Sequence, residues 1–165
     1  GNRAFNLHDD RRLGMFMLNN IIGGQGSNSR LNLSLREKHG LAYNVESGYN
    51  PYYDTGVFYI YFGTDSKYLA KSISITHSEM AKLRSIKLGS IQMGKARNQI
   101  KGYLARGFEN HESLMLSLGK SILAFDKVDT IEDICKKIDA INSSDLLGIA
   151  NEVFDKGELS TLIYT

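Results

Sequence analysis

The stretch Gly40-Leu41-Ala42-Tyr43-Asn44-Val45-Glu46-Ser47-Gly48-Tyr49, continued by Asn50-Pro51-Tyr52-Tyr53-Asp54-Thr55-Gly56 and Val57-Phe58-Tyr59-Ile60-Tyr61-Phe62, decides the fold. Leu41 to Tyr49 reads as a strand, and Pro51, Asp54 and Gly56 punctuate a turn. Val57 to Phe62 is a second, aromatic-rich strand. It is apolar on both faces, which predicts a central position rather than an edge.

Upstream of this pair the period changes. Asp9-Asp10 opens a helical stretch in which Leu13, Phe16, Met17 and Ile21 recur at helix spacing, and Gly23-Gly24 ends it. Gly23 to Ser29 is a polar, flexible loop. Leu31 to Lys38 then reads as a short helix, with Gly40 suited to the left-handed position just past its end. Downstream, Tyr68 to Leu83, Ile91 to Phe108 and His111 to Phe125 predict three helices, although Ile73 and Ile75 blur the period of the first. Thr130 and Asp133 stand at capping-box spacing before a helix through Ile141. Ser143 or Ser144 is the expected cap of a last helix to Phe154. Leu159 to Tyr164 alternates like a closing strand.

Helix, helix, strand, strand, several helices, strand is the order of an α+β fold: a two-layer sandwich with helices packed on a mainly antiparallel sheet. The regular alternation of a doubly wound parallel sheet is absent. Three strands are few for so many helices. A further strand upstream is therefore expected, with Ala4-Phe5-Asn6-Leu7 as its tail, and residues 1–165 are expected to be a single domain cut from a longer protein.

Composition narrows the function classes. The 165 residues are 42% hydrophobic and 23% charged, enough for a buried core. The net charge of +2, with both signs interspersed, gives no electrostatic footprint for nucleic acid. No apolar run approaches the ~20 residues of a membrane-spanning helix. A lone cysteine, Cys135, excludes an intrachain disulfide, and its place among Ile131, Ile134 and Ile138 predicts a buried structural thiol.

Several motifs imitate chemistry and fail on context. Gly24-x-Gly26-x-x-Ser29 follows a helix, whereas a dinucleotide fingerprint follows a strand. His111-Glu112 begins a zinc motif, but Met115 holds the place of its second histidine. The inverted form H-x-x-E-H fails at His8, His39 and His77 as well. No two histidines lie one helical turn apart, so no helical zinc site is expected and the chain is expected to bind no metal. The strand Gly56 to Tyr61 lacks the leading basic residue of an RNA-recognition strand.

What remains is Gly23-Gly24-Gln25-Gly26-Ser27-Asn28-Ser29-Arg30-Leu31, running into Leu35-Arg36-Glu37-Lys38-His39-Gly40-Leu41-Ala42-Tyr43. This resembles the C-terminal-half signature of the insulinase/pitrilysin metallopeptidases, which are related to mitochondrial processing peptidase. The likeness continues through Asp54-Thr55-Gly56-Val57-Phe58 and Tyr61-Phe62-Gly63-Thr64, then weakens along the helices. The resemblance implies a clam-shell enzyme of two similar halves. The other half carries H-x-x-E-H, the zinc and the general base. This half closes over a peptide substrate and supplies an arginine and a tyrosine, at positions matching Arg36 and Tyr43. Gly23, Gly24 and Gly26 would form a flexible loop near the cleft. The implied partners are an N-terminal zinc-binding half or a homologous subunit and a peptide substrate; separately, the incomplete first strand, which leaves a sheet edge to cover, predicts association with that half or with a further copy of the chain.

The chemistry of the pair is sound in itself. A guanidinium donates hydrogen bonds in a rigid fork suited to peptide carbonyls. A phenol beside a scissile carbonyl can donate to the oxygen as negative charge develops there. The alternative is that Arg36 pairs with a nearby carboxylate and Tyr43 only packs. The glycines, likewise, could do no more than allow a helix-connecting turn, and Arg30 could anchor that loop. Three functions follow: a peptidase half, a structural relative serving as scaffold, or a peptide-binding module.

Overall fold

The computed structural model describes residues 1–24 and 26–164. The decisive stretch forms a hairpin of β2 (Ala42–Pro51) and β3 (Gly56–Thr64), closed by the Tyr52 N–H donating to the Thr55 carbonyl. A short strand, β1 (Asn2–Ala4), pairs antiparallel along the other side of β3. The order is β1-β3-β2, so β3 is central as its pattern predicts. The pairing sets Val45 opposite Phe62, Ser47 opposite Ile60 and Tyr49 opposite Phe58. This alternate set faces the helices, with Val45, Tyr49 and Phe58 buried.

α1 (Arg12–Gly23) lies under β2 and buries Met15, Met17, Leu18 and Ile22. It is apolar on more than one side because α6 (Ser143–Val153) packs against it from beyond the sheet. Phe154, just after α6, meets Phe58 with ring centroids 4.9 Å apart. α2 (Leu69–Ser85) begins after a 3-10 turn at Ser66–Tyr68 and buries Ser72, Thr76, Met80 and Leu83. Its small polar members are satisfied by their own helix: Ser72 Oγ donates to the Tyr68 carbonyl and Thr76 Oγ1 to that of Ser72. The half-buried Ile73 and Ile75 flank this stripe, and that is why they blur the period. α3 (Ser90–Glu109), α4 (His111–Phe125) and α5 (Ile131–Ala140) complete the helical layer. The architecture is the α+β sandwich expected from the order of elements, and the Thr130–Asp133 capping box is formed.

Six local expectations change. Leu159–Tyr164 is not a strand: only Ser160 bonds the sheet edge, exchanging hydrogen bonds with Gly1 at 2.8 and 2.9 Å. The backbone of residues 161–164 makes no ladder among the described residues, and alternation without a partner does not make a strand. Of Ala4–Leu7, only Ala4 belongs to a strand. The last helix is capped by Asn142, whose Oδ1 accepts from Ser144 and Asp145 N–H, rather than by either serine. The helix before β2 is π-helical over Asn32–Lys38. The outer face of β3 is open, leaving Val57, Tyr59 and Tyr61 exposed. Cys135 is half-buried, because α5 buries only Ile138 fully.

Candidate functional site

The corner between the π-helix and β2 positions both predicted side chains. Gly40 has φ +58°, the left-handed conformation its place predicts. The Gly40 N–H donates to the Arg36 carbonyl at 3.0 Å and the Leu41 N–H to that of Leu35 at 2.8 Å. The Gly40 bond is the 5→1 closure of a left-handed cap, the Leu41 bond encloses it one residue wider on each side, and Leu35 and Leu41 are both buried. Thr64 Oγ1 donates to the Leu41 carbonyl at 2.6 Å and ties the corner to the end of β3.

β2 then carries a bulge. Ala42 lies opposite Thr64 and Asn44 opposite Gly63, so Tyr43 is the extra residue between two paired ones. A bulge re-aims the side chain it carries. Ala42 is buried, whereas Tyr43 is 75% exposed. The Tyr43 hydroxyl donates to Asp65 Oδ1 at 3.2 Å. That hydrogen bond, with the carboxylate's charge behind it, raises the phenol above its ordinary range. Arg36, in the last turn of the π-helix, directs Nε and Nη2 to Glu37 Oε1, each at 3.2 Å. Both partners are about half exposed, and such a surface pair contributes at most about 1 kcal/mol. The structure thus brings Arg36 and Tyr43 to one exposed corner, each on its own carboxylate, with no hydrogen bond between them.

The glycines lie at the end of α1. Gly23 is buried, and a Cβ there would stand 2.8 Å from Ser47 Oγ and 2.9 Å from Ser47 Cβ, so glycine lets α1 pass beneath β2. Gly24 is buried against Asn20 and lines a large cleft beside β2, while Gly26 is half-buried near Asn28 and Gln99. Gln25 lies outside the described residues. Arg30 reaches Glu79 of α2 at 3.8 Å, which supplies the loop's anchor. Among the described residues no three of His, Cys, Asp and Glu gather where they could hold a metal ion.

Glu37 is the nearby carboxylate that the alternative reading of Arg36 expects, whereas no reading of the sequence pairs Tyr43 with Asp65. Asp65 is twenty-two residues from Tyr43, and only the hairpin register brings them together.

Comparison with known proteins follows the same outline. The family model described as the peptidase M16 inactive domain matches residues 3–100. The chain is 31% identical over 163 residues, 99% of its length, to an uncharacterized zinc protease of Bacillus subtilis, YmxG, and spans 40% of that protein. A peptidase M16 inactive domain from Pseudomonas fluorescens superposes with TM-score 0.82 at 18% identity, covering 96% of this chain and 40% of that one. A chain of complex III2 from Candida albicans has the same fold, with TM-score 0.79 at 17% identity over 92% of this chain and 38% of that one.

Proposed function

This chain belongs to the peptidase M16 inactive-domain family, and we propose that it is the substrate-clamping half of a zinc metallopeptidase. In this reading residues 1–165 act as one half. Peptide-bond hydrolysis takes place at a zinc site in an N-terminal half or a homologous subunit. The chain spans between about a third and two fifths of the relatives it matches, which leaves room in them for such a half.

The observation that carries the reading is the bulge at Tyr43. It turns a phenol out of the sheet and gives it, among the described residues, a single exposed acceptor, Asp65, which a substrate carbonyl can replace. Arg36 stands on the same Gly40-capped corner with a guanidinium held, among the described residues, only by its exposed neighbour Glu37. The Arg36 fork binds carbonyls of the bound peptide in the ground state. Tyr43 donates to the scissile carbonyl oxygen as its negative charge grows, so its contribution falls mainly on the transition state.

The test is Tyr43→Phe in the complete enzyme, assayed with a fluorogenic peptide and checked by thermal melting. We expect kcat to fall about a hundredfold with KM little changed. Turnover within about threefold of wild type in a well-folded enzyme sinks the role. The scaffold reading, supported by the fold shared with the complex III chain and by the carboxylates already on Arg36 and Tyr43, would then stand.

A further inference from the structure

α2 and the π-helix pack side by side, and between them lies a shallow cleft of about 380 Å³. Ile75, Ser78, Glu79 and Lys82 line it from α2, at the i, i+3, i+4, i+7 spacing of one helix face. Leu33, Ser34 and Lys38 line it from the π-helix, with Arg30 just before that helix and His39 just after it. Charge is concentrated here. Arg30, Lys38 and Lys82 are fixed cations, and Glu79 is the single carboxylate among the lining residues. The surplus of two positive charges, before His39 is counted, equals the net charge of the whole chain. Composition hides that surplus because the signs balance elsewhere.

Glu79 does not satisfy all three cations. Its Oε1 takes the Lys82 ammonium at 2.5 Å, while Oε2 stands 3.8 Å from Arg30 Nη1, beyond hydrogen-bond reach. The Arg30 side chain is only 24% exposed, so a largely sequestered guanidinium is left with a distant acceptor. Lys38 has no carboxylate partner among the described residues. The end of a helix ordinarily repels anions through its free carbonyl oxygens. Here those oxygens are taken. His39 Nδ1 lies 2.7 Å from the Ser34 carbonyl, the Leu41 N–H bonds that of Leu35, and the Gly40 N–H that of Arg36. A carbonyl only accepts, so the His39 proton in that bond sits on Nδ1.

We propose that this cleft binds a small phosphate monoester, with its phosphoryl group among Arg30, Lys38 and Lys82 and its carbon skeleton on Leu33 and Ile75. A phosphate monoester carries close to two negative charges at neutral pH, which matches the surplus. A carboxylate or a sulfate ester brings only one. The guanidinium fork meets two phosphoryl oxygens in one plane, and the two ammonium groups add point charges that need no fixed geometry. Leu33 is 49% exposed and gives an apolar body surface to cover. The volume stands at the small end of ligand clefts, which suits one phosphoryl group and a ring-sized body. Such a ligand would bridge the π-helix and α2. The inference goes beyond the peptidase reading and stands without the roles given to Arg36 and Tyr43.

The test titrates phenyl phosphate into the full chain by calorimetry, in phosphate-free buffer of low salt at neutral pH, with amide NMR shifts locating the contact. Binding should saturate and should move the amides of Lys38, Ser78 and Lys82. Phenyl sulfate has the same shape with one charge fewer and should bind about fivefold more weakly, as should inorganic phosphate, which lacks the ring. Lys38→Ala should weaken phenyl phosphate about fivefold. Glu79→Gln should tighten it about fivefold, because the one repelling charge is gone. That variant separates binding from packing, since a purely structural Glu79 gives no gain in affinity when its ion pairs are lost. No saturable binding, or shifts confined to residues outside the cleft, overturns the site. Equal affinity for phenyl sulfate overturns the match to a dianion, and equal affinity for inorganic phosphate overturns the apolar contact. Weaker binding in a well-folded Glu79→Gln overturns the place assigned to the phosphoryl group. N-acetylphosphoserine amide bound more tightly than phenyl phosphate overturns the small ligand in favour of a phosphorylated protein segment.

Discussion

Tyr43 and Tyr49 share one strand and meet opposite surroundings. Tyr49 faces the helices: its ring stands edge-on to Phe16 with centroids 4.9 Å apart, and its hydroxyl donates to the Phe5 carbonyl at 2.7 Å. Burial pushes its phenol up to about 12. Tyr43, at the bulge, faces solvent, and its phenol is raised by the hydrogen bond to Asp65 instead. The direction of the two shifts is the same and the physics is different. One tyrosine is held by the whole core, the other by a single exposed bond that a ligand can take over.

The largest test of that division compares the two faces of β3. Phe58 is fully buried beside Tyr49, and Tyr61 is exposed on the opposite face. Phe58→Ala should cost about 3–5 kcal/mol, the usual cost of emptying an aromatic site in a core. Tyr61→Ala should stay within about 0.5 kcal/mol. Urea denaturation of both variants measures this. Similar costs for the two would mean that the open face is covered in solution.

The same contrast explains what was legible in the sequence. Gly40, the Thr130–Asp133 box and the β2–β3 hairpin were readable because each depends on residues a few positions apart. The Arg36–Tyr43 corner was legible for the same reason, together with the family signature around it. The bulge was not, because it exists only in the register between Ala42–Asn44 and Gly63–Thr64. Tyr61 and Tyr59 carry the apolar pattern of a buried face, yet nothing packs over them among the described residues. Ser72 and Thr76 carry the polar pattern of a surface, yet they lie in the core with their hydroxyls satisfied locally. Leu159–Tyr164 alternates correctly and still makes no strand, since a ladder needs a partner that local pattern cannot supply.

A smaller effect comes from titrating Tyr49. Its folded pKa of about 12 lies above the ordinary value of 10.0, so the folded state keeps its proton longer than the unfolded one. Its contribution is therefore complete below pH 10 and is lost as pH rises from there through about 12. After allowance for screening by nearby water this amounts to about 1–2 kcal/mol. Tyr49→Phe should be less stable at neutral pH by about 1 kcal/mol, for the lost hydrogen bond to Phe5. The gap to wild type should narrow above pH 10. Denaturation midpoints of the two proteins, followed from pH 8 to 12, check this, and parallel curves would show that Tyr49 is not held by burial.

The smallest change should be the most local one. Asp65→Asn keeps the size of the side chain and an acceptor oxygen but removes the charge that holds the Tyr43 proton. Because the site is exposed, stability should move by no more than about 0.5 kcal/mol. The Tyr43 phenol, in contrast, should titrate lower than in wild type, toward the ordinary tyrosine range. NMR of the chain labelled with ¹³C at tyrosine Cζ follows each phenol separately, and Tyr43→Phe assigns the resonance. Tyr49 serves as the internal control, since its shift comes chiefly from burial and Asp65 is not among its causes. A fall at Tyr43 with Tyr49 unmoved would establish that the exposed phenol is governed by one replaceable carboxylate. An unchanged Tyr43 titration would show that the Tyr43–Asp65 bond does not form in solution, and the bulge alone would then have to account for how the phenol is presented.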